Sequence, residues 1–304
     1  MINFQETKGA LLTKPRISGS ILVFLGAVCW SLNSPLIKYL SLDPFFICGG
    51  RSMIAAIALC PFIRHRQLKW NGWTFVYVIS YAALCVSLVQ ALSMTAAPVA
   101  IGMQYSAAVW LFLVSFLKTK QFRIREFIPI CIIMLGVMLF IMSGTDAKSN
   151  TGNLIALSEG VFFAVMTVSA KRAAGSNPLG LTALANIFTA AVIFAAFPEK
   201  IITVSAMTGR EWGIMLVLGA VQVGLGYGLY TMGVQLVSPR KASILALWEM
   251  ILGPVWVALF LKEYPNTLVL TGFVIIIAGM VLDATDHTAE NASFSHFREI
   301  RKHL

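Results

Sequence analysis

Charged side chains are scarce in this chain. They make up only 12% of its 304 residues, and 48 consecutive residues between Lys69 and Lys118 carry none. A soluble domain holds roughly 25% charged residues, whereas a transmembrane helix needs about 20 mostly apolar ones. The mean hydropathy of +0.80 is typical of a chain built from transmembrane helices. The lack of charge therefore excludes a soluble domain and predicts an integral membrane protein.

Residue types that support catalysis and cofactor binding are also few. The four histidines, His65, His287, His296 and His303, fall at predicted helix ends or in the C-terminal tail. The five cysteines lie inside predicted spans at spacings that do not suggest a metal site. No G-x-x-x-x-G-K-[ST] loop for nucleotide phosphates occurs. These absences argue against an enzyme, against a bound metal or other cofactor, and against an ATP-driven pump.

The apolar runs predict ten transmembrane helices. They are continuous and do not alternate as barrel strands do, so they favour helices. Segment 1–16 precedes them as a cytoplasmic N-terminal segment, and segment 284–304 follows as a cytoplasmic tail. The predicted spans are residues 17–39, 44–63, 73–94, 99–117, 126–143, 153–170, 178–197, 212–236, 242–261 and 267–282.

Basic residues support this count and set the orientation. With the N-terminus inside, the inner segments hold 17 of the 23 lysines and arginines, the outer loops hold 5, and Arg51 lies within a span. Such a bias is typical of cytoplasmic loops. We therefore predict a multi-pass inner-membrane protein with both termini cytoplasmic. The net charge of +10 is spread over six inner segments, which does not favour nucleic-acid binding.

The two halves of the chain resemble each other. Residues 112–118 followed by 135–137 resemble residues 256–262 followed by 278–280, at offsets of about 144 and 143. Each half, 17–143 and 153–283, holds five predicted spans. Because five is odd, the second half must insert in the opposite sense. The prediction is an all-α integral membrane protein of ten transmembrane helices in two five-helix inverted-topology repeats, a symmetry common in secondary transporters.

The segment 245–263 resembles the ninth helix of the drug/metabolite transporter superfamily. It carries leucines, Glu249, Pro254 and aromatic residues, and it ends on Lys262-Glu263 where the family pattern often ends on glycine-glutamate. The likeness is closest to the ten-helix members built from two EamA domains, and Arg51 and Trp30 also match common EamA positions. The first repeat departs at 118–120, which lacks the terminal glutamate.

The resemblance implies a transporter of small organic solutes, usually an exporter. Known substrates in the superfamily include amino acids and other metabolites. Transport there is usually driven by a proton or solute gradient, without ATP.

Three charged residues inside predicted spans are candidates for function. Charge in the hydrocarbon is costly and by default marks a functional site. Glu159 and Glu249 are candidates to bind a proton or to be satisfied by a neighbouring helix. Arg51 is a candidate to bind a substrate carboxylate. It would equally serve as a structural anchor paired with Glu159, Glu249 or Asp43.

Aromatic and amide side chains at mid-span are candidates to line a cavity. Trp30 and Asn33 are three residues apart and are expected to share a helix face. This mixed set suits a zwitterion or an organic cation, and the single buried arginine argues against sugar phosphates. The candidates are Trp30, Asn33, Tyr81, Gln104, Tyr105, Gln222, Tyr227 and Trp248.

The function expected from these features is secondary active export of an amino acid or related small metabolite, with proton coupling left open. One alternative is an exporter of organic cations or drugs, and another is a membrane scaffold or sensor, although the loops are short. The expected partners are a small organic solute and the lipid bilayer, and not nucleic acid. A homodimer is left open.

Overall fold

The computed structural model describes residues 18–37, 39–63, 68–94, 97–142, 150–262 and 264–300. Segment 1–16 and Glu263 lie outside the described residues. The described ranges are helical, and the α-helices are α1 (Gly19–Ser31), α2 (Asn33–Ile37), α3 (Pro44–Leu59), α4 (Gly72–Met94), α5 (Ala97–Gln104), α6 (Ala107–Thr119), α7 (Ile124–Met142), α8 (Asn150–Arg172), α9 (Pro178–Ala196), α10 (Thr203–Ala206), α11 (Gly209–Leu216), α12 (Gly226–Leu236), α13 (Pro239–Ala246), α14 (Trp248–Leu261) and α15 (Thr267–Ile300).

Several helical segments are long and apolar enough to cross a membrane. Within the described ranges there are eight, and they coincide with eight of the ten predicted spans: Gly19–Ile37, Pro44–Phe62, Gly72–Ala91, Ala100–Thr119, Thr151–Arg172, Pro178–Ala196, Gly209–Leu236 and Pro239–Phe260. Helices α7 and α15 occupy the positions of the fifth and tenth predicted spans and pack against each other. The apolar part of α15 is Thr267–Asp283. The protein is therefore an all-helical membrane protein.

Helix ends follow from local sequence. Asp43 caps α3, because its Oδ1 accepts hydrogen bonds from the amides of Phe45 at 2.9 Å and Phe46 at 3.2 Å. Helices α6 and α14 both end on a lysine in the left-handed conformation, Lys120 and Lys262, each with φ of 56°. The structure therefore pairs Lys120 with Lys262, which lie 142 residues apart. The sequence comparison paired Lys118 with Lys262, so the two correspondences differ by two residues.

Two of the predicted spans, the fourth and the ninth, are broken in the middle. Between α5 and α6, the amides of Tyr105 and Ser106 bond to carbonyls three residues back, at 3.1 and 3.0 Å. Between α13 and α14, the amide of Leu247 bonds to the carbonyl of Ile244 at 3.1 Å. Neither break contains proline or glycine. Broken helices at corresponding positions of two repeats are the usual pointer to a transporter's binding site.

The two halves of the chain meet closely where α1 packs against α12. A Cβ atom on Gly26 would lie 2.9 Å from the carbonyl oxygen of Gly226, and one on Gly233 would lie 2.7 Å from that of Gly19. Only glycine permits backbones to approach this closely. The contact places the first span beside the eighth and brings the middle of α1 to the centre of the molecule.

Candidate functional site

A cluster of aromatic rings fills the centre, where α1, α4, α8 and α12 meet. The ring of Trp30 lies 4.5 Å from that of Tyr227 and 4.8 Å from that of Tyr230, measured between centroids. Tyr81 lies 4.7 Å from Tyr227, and Phe163 lies 5.5 Å from Tyr230. We call these five residues the central aromatic cluster. It brings together three predicted site residues, Trp30, Tyr81 and Tyr227.

The phenol hydroxyls of this region are held by small polar side chains that sequence reasoning did not select. Tyr81 donates to Oδ1 of Asn186 at 3.1 Å. Three threonines hold the hydroxyls of Tyr77 and Tyr230. The hydroxyl of Tyr77 lies 2.8 Å from that of Thr231 and 3.4 Å from that of Thr182, and the hydroxyl of Tyr230 lies 2.8 Å from that of Thr167. The sequence feature that would have found Thr182 and Asn186 is a polar stripe on α9, in which Thr182, Asn186 and Thr189 recur at spacings of four and three.

The two helix breaks are joined by Tyr105. Its hydroxyl lies 2.5 Å from Oε2 of Glu249 and 3.1 Å from the carbonyl oxygen of Ala246, where α13 ends. Gln104 is buried at the end of α5, immediately before the first break. Trp248 begins α14 and packs edge-on against Phe24 of α1 at 5.5 Å. We call the contact of Tyr105 with Glu249 and Ala246 the break junction.

Glu159 is the most completely buried acidic residue of the site. Its exposed fraction is 0%, and neither carboxyl oxygen has a hydrogen-bond partner among the described residues. Its helix, α8, packs along α4, α5 and α6. Because an unpaired ionised carboxylate is very costly to bury, such a group needs a proton or a cationic ligand in place.

Arg51 has an amide partner and no acidic one. Its Nη1 donates to Oδ1 of Asn33 at 2.9 Å, and no carboxylate among the described residues pairs with it. None of the three carboxylates considered as anchors, Glu159, Glu249 and Asp43, forms an ion pair with Arg51 among the described residues, although the charge of Glu249 acts on it. The carboxylate of Asp43 lies instead 2.8 Å from the ammonium group of Lys200.

A cavity of about 320 Å³ lies at the end of α3 that Asp43 caps, and Arg51 forms part of its wall. The other lining residues are apolar except for backbone groups: Ile37, Leu40, Leu42, Pro44, Ile47 and Val89. We call it the Arg51 cavity. A guanidinium group with spare donors in an apolar pocket is suited to bind a carboxylate.

Asn33 and Gln222 are both buried, and each lies at a helix irregularity. The first span is interrupted at Leu32, because Pro35 has no amide proton to donate to Ser31. Trp30 then packs in the central aromatic cluster, whereas Asn33 contacts Arg51. Gln222 lies in a π-helix, Val217–Leu225, and its Oε1 is buried without a partner among the described residues. Short π-helical stretches are frequent at functional sites.

The structure leaves Glu159, Gln104, Gln222 and Trp248 outside the named clusters and groups the other predicted residues in or beside three parts. These are the central aromatic cluster, the break junction and the Arg51 cavity. The arginine comes from the first half of the chain, and both glutamates come from the second. The site therefore contains one group suited to bind a negative charge, Arg51, and two suited to bind a positive charge, Glu159 and Glu249.

Comparison with known proteins agrees with this architecture. The EamA-like transporter family matches residues 17–142 and 150–284. A crystal structure of a protein with 16% sequence identity superposes with a TM-score of 0.72, covering 87% of this chain and 96% of that chain. At that identity the likeness concerns the fold alone. No curated protein matches the sequence.

Proposed function

The chain belongs to the EamA-like transporter family, and from that premise we propose that it exports an amino acid or a related small metabolite. The family match supports a membrane transporter of the drug/metabolite type, a class whose members are generally not enzymes. The proposed process is secondary active transport by alternating access across the inner membrane, with a proton as the coupling ion.

The proposed topology has ten spans in two inverted repeats, 17–143 and 153–283, with both termini cytoplasmic. Its support is the correspondence between the breaks at Tyr105 and Leu247, and between the left-handed ends at Lys120 and Lys262. The bias of basic residues supports the orientation. In this topology the Arg51 cavity opens on the outer side.

The observation that carries the substrate class is the state of Arg51. It is 5% exposed, it lines a cavity, and it forms no ion pair among the described residues. Its hydrogen-bond partners are neutral, the amide of Asn33 and the thiol of Cys48, although the charge of Glu249 also acts on it. A buried guanidinium without an acidic partner is costly, so a carboxylate-bearing ligand would stabilise it. Glu159, which lacks a partner, is the proposed contact for the ligand's ammonium group. The central aromatic cluster supplies ring faces beside a cation.

Proton coupling is proposed for Glu249 on the basis of hydrogen-bond geometry. Tyr105 has one hydroxyl proton and two acceptors within reach, Glu249 and the carbonyl of Ala246. When Glu249 is ionised, Tyr105 donates its hydroxyl hydrogen bond to the carboxylate, because a charged acceptor is preferred over the carbonyl. When Glu249 is protonated, it donates to the oxygen of Tyr105, which then donates to Ala246. Protonation therefore changes how the two breaks are linked.

A second candidate function is export of organic cations or drugs. The aromatic rings and the two glutamates favour it, because both bind cations. Arg51 opposes it through like-charge repulsion in a low-dielectric site. The two functions therefore make opposite predictions for variants of Arg51.

The test is transport by purified protein in liposomes with Arg51→Gln and Arg51→Lys. We expect Arg51→Gln to weaken the apparent affinity for carboxylate-bearing substrates at least roughly tenfold, with Arg51→Lys intermediate because lysine keeps the charge and loses the bidentate geometry. Arg210→Gln is the control, since Arg210 lies over the ring of Tyr39 and does not line the Arg51 cavity. Improved transport of quaternary amines in Arg51→Gln, with no transported amino acid in the wild type, would favour the second function.

A further inference from the structure

A second cavity, of about 400 Å³, lies at the opposite end of the helices from the Arg51 cavity. It opens between the last turns of α6 and α8 and the first turn of α13, with the start of α7 at its rim. Both halves of the chain therefore contribute to its wall. In the proposed topology it faces the cytoplasm, and we call it the inner cavity.

The inner cavity is basic. Four cationic side chains line it, Lys118, Lys171, Arg172 and Arg240, against one carboxylate, Glu126. The general enrichment of lysine and arginine in cytoplasmic loops accounts for cations at this end of the protein, but it does not account for their position in a cavity. Other cations of the same end, such as Lys120 and Arg125, are exposed and do not line it.

The four cations differ in how far their charge is already neutralised. Arg240 is bound by two carboxylates, Glu126 at 2.9 Å and Asp283. Lys171, in contrast, donates to the neutral carbonyl of Gln235 at 2.8 Å, which positions its ammonium group and leaves its charge uncompensated.

The two remaining cations add to this excess. The guanidinium of Arg172 lies over the ring of Trp73 at 5.4 Å. Lys118 is exposed in the last turn of α6 and has no acidic partner among the described residues. Among the described residues, the cavity thus retains positive charge at Lys118, Lys171 and Arg172 after its ion pairs are counted.

Two apolar lining residues show how far the inner cavity lies from the site. Leu111 and Val168 line the cavity on α6 and α8. Leu111 is six residues from Tyr105, which is about 9 Å along a helix at 1.5 Å per residue. The cavity therefore ends roughly two turns short of the break junction. Under the proposed transport function, a solute that moves from this cavity toward the membrane centre would approach the buried Tyr105 and its hydrogen-bond partner Glu249.

We propose that the inner cavity is the cytoplasmic loading site for a solute carboxylate, so that the substrates are carboxylate-bearing metabolites and not organic cations. The inference rests on the proposed transport function and adds a second binding site, at the cytoplasmic end, for the substrate's carboxylate. Clefts lined by one sign of charge concentrate ligands of the other sign. Lys118 and Lys171 are the residues that bind the carboxylate. A negative group then meets a cation at both ends of the path, here and at Arg51.

The first test measures binding without transport. Thermal unfolding of the purified protein is followed with sodium glutamate or choline chloride at equal ionic strength. We expect glutamate to raise the unfolding midpoint of the wild type and choline to leave it unchanged. Lys118→Gln/Lys171→Gln loses the increase, and Lys118→Arg/Lys171→Arg retains it. The control Lys120→Asn/Arg125→Gln removes two exposed charges of the same end and keeps the increase. Lys118→Gln alone leaves the hydrogen bond of Lys171 to the carbonyl of Gln235 in place, so it gives a partial loss even where the double variant folds poorly.

The second test measures loading from the inner side in liposomes of neutral lipid. Lys118→Gln/Lys171→Gln is expected to raise the inner KM for glutamate or another transported carboxylate about fivefold, the effect of losing two solvent-accessible ion pairs. The outer KM stays unchanged. High salt reduces the difference between wild type and variant, because it screens accessible charge.

The outcomes separate the two proposals. Glutamate stabilisation in a wild type that transports nothing would refute the proposed function and leave the binding site standing. Equal stabilisation and equal inner KM in the double variant and the control would refute the loading site and leave the function standing. The double substitution could instead change only how strongly transport depends on phosphatidylglycerol. That result would show that Lys118 and Lys171 bind a lipid headgroup phosphate and not the carboxylate of the solute.

Discussion

The fourth and ninth predicted spans are broken in the same way and differ in chemistry. The break between α5 and α6 and the break between α13 and α14 are both followed by a helix that ends on a left-handed lysine. The first break offers a phenol, Tyr105, and the second offers a carboxylate, Glu249. Repetition of a fold thus supplies matched hinges, whereas the ionisable group is present on one side only.

The same asymmetry extends to the other charges of the site. Arg51 belongs to the first half of the chain, and Glu159 and Glu249 belong to the second. A zwitterion bound between the halves would therefore have a defined orientation. Under the proposed function, the repeated fold would account for the geometry of alternating access, and the unequal placement of charge would account for the choice of substrate.

The largest expected effect comes from separating the two halves. Gly26→Val would place side-chain carbon where a Cβ already lies 2.9 Å from the carbonyl of Gly226. Overpacking costs typically 1–3 kcal/mol and more where backbone must move. We expect little monodisperse protein by size-exclusion chromatography. Gly213→Val is the control, because a Cβ there meets no atom within 4 Å. Equal yields of the two variants would argue against close contact of α1 with α12.

A smaller effect is expected when the link between the breaks is cut. Tyr105→Phe keeps the ring and removes the hydroxyl that reaches Glu249 at 2.5 Å. A hydrogen bond to a charged group contributes roughly 1.5–3 kcal/mol, so we expect transport to slow at least about tenfold and its pH dependence to change. The measurement is the initial rate against pH in liposomes. Tyr264→Phe, at a residue 82% exposed, serves as the control. An unaltered pH profile in Tyr105→Phe would remove the hydroxyl from the mechanism.

The smallest effect concerns the ion pair at the rim near the Arg51 cavity. Burial acts to raise the pKa of Asp43, but Lys200 and the amides of Phe46 and Phe45 outweigh it, so that pKa lies below its ordinary value of 3.8. A lowered folded-state pKa means that the carboxylate stabilises the fold above pH 3.8 and that this stabilisation is lost as pH falls through the folded-state value.

We therefore expect Lys200→Gln to unfold slightly more easily than the wild type at pH 6, with the difference vanishing near pH 3. Thermal unfolding in detergent across this range measures it. Lys200→Arg keeps the positive charge and should behave as the wild type. A difference that grows as pH falls would contradict the pairing of Lys200 with Asp43.

Much of the helical arrangement is predictable from the sequence, because long runs without charge have few alternatives to a transmembrane helix. The helix breaks are not predictable in the same way. The break at Tyr105 carries no proline or glycine, and Pro254 lies inside the continuous helix α14. Tertiary contacts, among them that of Tyr105 with the carbonyl of Ala246, determine where the backbone departs from the helix.

The candidate site, like the fold, was predictable from the sequence only in part. Depth and residue type were enough to select Arg51, Glu159 and Glu249, since charge in a span is costly. Their partners depend on which helix faces meet, and one sequence does not contain that information. Arg51 therefore pairs with Asn33 and not with any of the three carboxylates considered. Asn186 was missed because its helix, α9, carries no charge that draws attention to it.

The most direct measurement of the central claim is transport by Glu249→Gln in liposomes, with and without a pH gradient, beside Glu199→Gln as an exposed carboxylate control. If Glu249 carries the coupling proton at the break junction, the variant loses gradient-driven accumulation and retains exchange of substrate across the membrane, and Glu199→Gln behaves as the wild type. Gradient-driven accumulation that is unchanged in Glu249→Gln would contradict the assignment.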